Sequence, residues 1–246
     1  MIKGWTAVYL REMIILKRRL AKLIPAWSVS PLLYLVAFGY AVGRHVNVGG
    51  HSYMEFLLPG LAAMASMTQA FAIAGEINIA RFYWHIFDEF QAAPISNLAY
   101  VLGEVLAGMT RALLAGCVVL LLGALFGVVL SYNPLFWAAF LLNSFVFASL
   151  AVGLAMHVKS HADQTLLNNF IITPMAFLGG TFFPLSQLPA WGQRLLEALP
   201  LTHAAKAIRA AAFVEPAHMT DYLLLAIVGC VCFVFAIVSV NKAKSR

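Results

Sequence analysis

Long stretches without a single Asp, Glu, Lys or Arg alternate with short polar breaks along the chain. Between Lys22 and Arg44 lie 21 such residues, between Glu55 and Glu76 20, and between Arg111 and Lys159 47. Between Asp163 and Arg194 there are 30, and between Asp221 and Lys242 20. One bilayer crossing takes about 20 apolar residues at roughly 1.5 Å each. The longest run therefore holds two crossings, turned at Ser131-Tyr132-Asn133-Pro134, and the run after Asp163 holds one crossing with a remainder. The pattern predicts six spans, at about 23–43, 55–77, 100–130, 134–157, 165–180 and 221–241. Strands of an outer-membrane barrel would alternate over about ten residues; these runs do not alternate.

Three non-spanning parts carry further patterning. In the arm, residues 1–22, Trp5, Val8, Tyr9, Met13, Leu16 and Leu20 recur at helical spacing, and Lys17, Arg18, Arg19 and Lys22 crowd its second half. A basic amphipathic helix of this kind is expected to lie in the membrane interface. The stretch Asn78 to Asn97 is too long for a plain turn. It predicts a short helix ending before Pro94, with Phe82, Phe87 and Phe90 around Asp88 and Glu89. Such a helix serves either as a docking knob for a partner or as an interfacial helix against headgroups, and the residues leave both open. Residues 177–213 are apolar but broken by Gly179, Gly180, Pro184, Pro189 and Pro200. Broken backbone at membrane depth needs protein or a cavity around it. The expectation is a re-entrant pair of short helices followed by an amphipathic helix from Thr202 to Phe213.

Composition sharpens the class. Of 246 residues 62% are hydrophobic and 11% charged, against roughly 25% charged in a soluble domain. Disorder, a secreted disulfide scaffold and most soluble enzymes are excluded. What remains is an all-α integral membrane protein, read as a single domain over 1–246. The first apolar run starts only near Leu23 and lacks a small-residue cleavage site, so no cleavable signal is expected. Charge sets the orientation. Lys3, Arg11, Lys17, Arg18, Arg19, Lys22, Arg81, Lys159, Lys242, Lys244 and Arg246 fall on one side; Arg44, Arg194, Lys206 and Arg209 fall on the other. Both termini are expected in the cytoplasm. The net charge of +6 then reflects topology and anionic-lipid contact.

Candidate chemistry is sparse. Cys117, Cys230 and Cys232 all fall in spans and cannot form a disulfide framework. His157 and His161 have the four-residue spacing of two ligands, but they sit in a short polar loop with Lys159 and Asp163 and no third ligand. No metal site is expected. Glu76, Glu104 and Arg111 are intramembrane charges, which are expensive and usually face protein or water. They form an ion-pair network, with Arg111 on Glu104 or Glu76, or they snorkel to the headgroups; a substrate contact by Arg111 is a third reading.

Four stretches, in order, resemble the membrane subunit of type 2 ABC exporters, in the branch of the nodulation-protein J type permeases. They are Tyr53-Met54-Glu55-Phe56-Leu57-Leu58-Pro59-Gly60, then Phe87 to Pro94, then Thr173-Pro174-Met175-Ala176-Phe177-Leu178-Gly179-Gly180 with Phe183-Pro184 and Leu188-Pro189, and last Leu199-Pro200-Leu201-Thr202-His203 with Arg209. The segment before Phe87 departs by being unusually aromatic, with Phe82, Tyr83 and Trp84. The resemblance implies a permease homodimer assembled with two ABC ATPase subunits in the bacterial inner membrane. It places Phe87, Asp88, Glu89 and Pro94 in a cytoplasmic coupling helix, with the N-terminal helix as a second ATPase contact. It makes Gly179, Gly180, Phe183, Pro184 and Pro189 an outer re-entrant gate, and lines the pathway with spans one and five. ATP and Mg would be bound by the partner, and this chain would need no cofactor of its own.

The residues agree with an external engine. The chain has no G-x-x-x-x-G-K-[ST] phosphate loop. A secondary transporter or channel working without ATP is the alternative, but it predicts inverted repeats and midplane charges that are not evident. A lipid-directed enzyme would need a polar catalytic cluster, and none can be placed on a common face. The apolar pathway walls suit amphiphilic cargo: a lipid-linked saccharide, a lipid or a hydrophobic drug.

Overall fold

The computed structural model describes residues 4–43, 46–84 and 86–244, without the side chains of Val42, Asp88, Gln91, His161 and Lys244. These residues are almost wholly helical. In chain order the helices are α1 (Gly4–Tyr34), α2 (Tyr53–Phe71), α3 (Ile73–Phe82), α4 (Ile86–Ala92), α5 (Asn97–Leu125), α6 (Pro134–Ala155), α7 (His161–Leu167), α8 (Thr173–Leu178), α9 (Ala190–Glu197), α10 (Pro200–Ala212) and α11 (Met219–Lys244). Among the described residues, five helical stretches are long and apolar enough to cross a membrane: Gly4–Ala41, Tyr53–Phe82, Asn97–Leu125, Pro134–Ala155 and Met219–Ala243. A further run from His161 to Leu178 is helical throughout, passing from α7 to α8 through a π-helical stretch, Asn168–Ile172. Pro174 explains the wide turn. Its ring would strike the carbonyl four residues back, and a π turn relieves that clash.

The arm is not a separate interfacial helix. It is continuous with the first span, since α1 runs on through a π-helical stretch, Leu35–Val42. The apolar stripe turns to protein instead of headgroups: Val8 and Leu16 are buried with Glu12 on one face of α1. That face runs alongside α5. Gly103 makes the approach possible, since a Cβ there would lie 2.7 Å from the Cβ of Val8 and 3.0 Å from the Trp5 carbonyl. Tyr9 and Thr110 share a hydroxyl hydrogen bond of 3.1 Å, and higher up Leu16, Trp27 and Ala115 form a small cluster.

Two further expectations shift. The third span ends at Leu125, short of residue 130, because Gly127 takes φ +82°. The Val128 N–H reaches the Gly123 carbonyl and the Gly127 N–H that of Ala124, a left-handed cap that stops the helix. His161 and Asp163 belong to a helix and not a loop: α7 is capped by Ser160, whose hydroxyl accepts the Asp163 N–H. At residues 47–52 a two-stranded hairpin, Asn47–Val48 with His51–Ser52, turns on Gly49 and Gly50, both at positive φ. Ser52 and Glu55 then form a reciprocal cap that starts α2.

The centre of the bundle is α2, most of whose residues from Phe56 to Phe71 are buried. Asn143 of α6 ties to it through the Ala63 carbonyl and the Ser66 hydroxyl. Side-chain bonds define the two ends. Asn97 to Asn241, Asn78 to Gln164 and Arg81 to the Ala155 carbonyl gather one end, which also holds the start of α1 and the end of α11. Tyr53 to the Phe182 carbonyl, Asn133 to that of Ala211 and Tyr222 to that of Leu135 gather the other.

Candidate coupling and gating sites

At the end that holds both described chain ends, α3, α4 and α5 make an elbow. Its aromatic residues divide sharply. Phe82, Tyr83 and Trp84 are exposed, Tyr83 by 69%. Phe87 is buried, contrary to a docking role for its ring. It meets Tyr100 edge-on at 5.5 Å, and Phe90 packs on the same ring at the same distance. Arg81 lies over both Phe82 and Phe87, and Arg11 of α1 over Phe90. Phe87 and Phe90 thus clamp α4 to α5. Glu89 is exposed on α4 and Pro94 in the turn beyond it; Asp88 lies on the same helix, its side chain outside the described residues. Ser96 then caps α5. The seven residues of α4 are therefore held on a span by their inward aromatics, with Glu89 outward and the exposed Phe82, Tyr83 and Trp84 just before the helix.

A turn or two along the bundle, the intramembrane charges meet. Glu76 of α3 receives Arg111 of α5 at 3.1 Å and Arg19 of α1 at 3.3 Å. Three helices are joined at one carboxylate. Arg19 is a member that spacing did not reveal, because only packing brings the arm beside α3. Glu104 departs from the expected network. It is buried, its Oε2 has no partner among the described residues, and it forms no ion pair there with Arg111. Seven residues on one helix stand about 10 Å apart, too far for an ion pair, whereas Glu76 faces Arg111 across a helix interface.

At the opposite end lies the broken segment: a glycine turn, a 3₁₀ turn Leu185–Gln187, then α9 and α10. Gly179 and Gly180 are buried and Gly180 has φ +76°. Arg209 of α10 pins this hairpin. Its Nη2 donates to the Gly180 carbonyl at 3.0 Å and its Nε to the Phe56 carbonyl at 3.3 Å, while the guanidinium lies 3.9 Å from the Phe56 ring. Phe183 and Pro184 line a cavity of about 280 Å³ beside Arg209, and Pro189 is exposed at the start of α9. Phe182, which the sequence did not single out, packs against Tyr34, Phe38 and Phe177 at 5.1–5.3 Å. His203 bridges onward, its Nδ1 to Asp221 of α11 at 2.6 Å and its Nε2 to the Glu197 carbonyl at 2.7 Å. The hydrogen bond from Lys206 to the exposed Glu197 lowers that carboxyl from its ordinary value.

Gly60 is the seat of the hairpin. A Cβ there would lie 2.7 Å from the Thr181 carbonyl oxygen and 2.9 Å from its Cα. Backbone cannot swing aside like a side chain. Gly60→Ala is expected to cost a net of about 1 kcal/mol, because roughly 2 kcal/mol of overpacking outweighs about 1 kcal/mol of helix propensity. A lower melting temperature in detergent checks it; an unchanged or raised one contradicts the contact.

Between the two ends, α1, α2, α5 and α8 enclose a cavity of about 290 Å³. Its walls mix Trp27, Tyr34 and Phe177 with the polar Ser30, Thr68, Gln69 and Thr173. Such a wall accepts a molecule with both apolar and hydrogen-bonding parts.

Membrane-length helices, a rigid elbow at one end and a pinned hairpin at the other define a multi-pass membrane protein of the helical-bundle class. Residues 4–213 match the family described as ABC-2 type transporter. Inner membrane transport permease YadH of Escherichia coli (strain K12) is 31% identical over 184 residues, 74% of this chain and 72% of that protein. Nodulation protein J of Sinorhizobium fredii (strain NBRC 101917 / NGR234) is 31% identical over 218 residues, 87% and 82% of the two chains. Nodulation protein J of Rhizobium meliloti (strain 1021) is 31% identical over 214 residues, 84% and 80%. The chain belongs to the ABC-2 type transporter family and is a transport permease.

Proposed function

We propose that the chain is the transmembrane subunit of an ATP-driven exporter in the bacterial inner membrane. Two copies pair with two ABC ATPase subunits, and the complex moves an amphiphilic molecule outward. Counting the run from His161 to Leu178, the chain crosses six times, with both ends in the cytoplasm, where the excess of Lys and Arg falls. The E. coli relative is an inner membrane transport permease, which supports the location.

The observation that carries this reading is the elbow. A short helix clamped to a long span by Phe87, Phe90 and Tyr100 moves with that span. A push on its exposed Glu89 reaches α5, and through Arg111 and Glu76 it reaches α1 and α3. The arm lies against the same elbow through Arg11 and Phe90. At the far end the hairpin pinned by Arg209 forms the outer gate, and the cavity between α1, α2, α5 and α8 forms part of the pathway wall.

The test is purification in mild detergent with the mass and ATPase activity of the complex measured. Wild type is expected as a two-plus-two assembly that hydrolyses ATP. Glu89→Arg, on an exposed position, is expected to weaken the ATPase association by about tenfold, with the chain's own melting temperature unchanged. A chain that purifies without any ATPase in several detergents, or a Glu89→Arg variant that assembles and hydrolyses like wild type, contradicts the coupling role.

A further inference from the structure

We propose that the cavity beside Arg209 is a binding site for an oxyanion, a phosphate or carboxylate, borne on an apolar body. The inference concerns binding alone and holds whether or not an ATPase drives the chain.

The lining of the cavity is of two kinds. One face of α10 supplies Thr202, Lys206 and Arg209, which stand at i, i+4 and i+7. Phe56, Phe183, Pro184 and Leu185 supply apolar surface. At about 280 Å³ the space is close to the roughly 300 Å³ at which small-molecule pockets begin. One carboxylate among the described residues, Glu197, also lines it, and Lys206 already binds that carboxylate at 2.9 Å. The pair lies at the rim, with 36% of the Lys206 and 49% of the Glu197 side chain exposed. The lining therefore leaves one positive charge over, and Arg209 carries it.

In Arg209 one edge of the guanidinium is used: Nε and Nη2 donate to the Phe56 and Gly180 carbonyls. Those acceptors are neutral, so they hold the side chain in place without cancelling its charge. Glu215 acts on it from beyond ion-pair distance. The other edge, Nη1 with the second N–H of Nη2, has no partner among the described residues. Such an edge offers two parallel N–H groups, the geometry that phosphate and carboxylate oxygens accept in pairs. Thr202 adds a buried hydroxyl that also has no partner there. Long side chains on a helix lean toward its N-terminus, which carries the guanidinium back toward Thr202. Polar groups left in this state are costly, and an oxyanion between them supplies acceptors to both. A neutral polyol would meet the hydroxyl and leave the charge, whereas a bare anion would leave the apolar lining empty.

The test is isothermal titration of the full chain in neutral detergent with hexyl phosphate, hexyl glucoside and inorganic phosphate. Hexyl phosphate is expected to bind at least about tenfold tighter than hexyl glucoside, because hydrogen bonds to charged groups exceed neutral ones by that much. E197Q, at an exposed position, removes the negative charge at the rim and is expected to tighten hexyl phosphate about threefold. T202V keeps the shape and loses the hydroxyl, and is expected to weaken it about fivefold. The melting temperature of T202V is expected to hold or rise, since that hydroxyl has no partner to lose. R194Q, on α9 outside the lining, is expected to leave binding unchanged, which excludes a diffuse charge effect. Dioleoyl phosphatidylglycerol added with hexyl phosphate separates the sources: displacement makes the ligand a lipid headgroup, and its lack makes the ligand a smaller amphiphile. Equal binding of the two hexyl compounds, inorganic phosphate binding as tightly as hexyl phosphate, an unchanged affinity in E197Q or T202V, or a loss in R194Q as large as in T202V would overturn the proposal.

Discussion

Arg209→Leu is expected to release from α2 the glycine hairpin proposed as the outer gate. The guanidinium makes two charge-assisted bonds to backbone carbonyls and stacks on Phe56. Together these are worth roughly 3–5 kcal/mol, enough to move the hairpin from almost always seated to largely free. Leucine also leaves two carbonyls without their donor. The readout is a cysteine at Thr181, which is fully buried, in a chain whose three cysteines are replaced by alanine. An impermeant maleimide added to intact cells is expected to leave Thr181→Cys unlabelled and to label it rapidly once Arg209→Leu is added. Arg209→Lys should fall between, since an ammonium lacks the fork that spans two acceptors. Equal protection with and without Arg209 would show that the hairpin is held by its other contacts.

The second large effect concerns Glu76. Arg111→Leu removes the better shielded of its two partners: Arg111 has 12% of its side chain exposed and Arg19 46%. Breaking a shielded pair from one side costs about 3–5 kcal/mol, whereas a half-exposed pair is worth about 0–1 kcal/mol. Melting in detergent is therefore expected to show a large loss for Arg111→Leu and a small one for Arg19→Gln. Glu76→Gln combined with Arg111→Leu should recover much of the loss, because no shielded lone charge then remains and Arg19, half-exposed, stays solvated. A double-mutant cycle measures each coupling. Equal couplings of Glu76 to Arg19 and to Arg111 would refute this ranking and favour mere snorkelling to the headgroups.

The aromatic elbow shows where pattern reading ends. Five aromatics between Phe82 and Phe90 fall on every side of so short a helix, so spacing could not say which point outward. Packing against Tyr100 turned Phe87 and Phe90 inward and left Phe82, Tyr83 and Trp84 outside. The arm failed in the same way. Its apolar stripe was correctly placed, but a stripe fits a lipid interface and a neighbouring helix equally well. Gly103, ninety-odd residues away in the chain, decides for the neighbour by letting α5 approach.

Apolar run lengths were enough to define the class of the molecule, its long apolar helices and the broken segment near Gly180, because solvation by a bilayer is a local demand that each stretch must meet alone. The turn at Ser131-Tyr132-Asn133-Pro134 was legible for the same reason: Asn133 caps α6 and Pro134 opens it, each acting through its nearest neighbours. Which carboxylate Arg111 meets, where Arg209 donates and which aromatics are hidden depend on how distant helices pack. Those contacts form between residues tens to hundreds of positions apart, as with Arg209 and Phe56. Their geometry follows from close-packed interfaces, and it became visible once the helices were assembled.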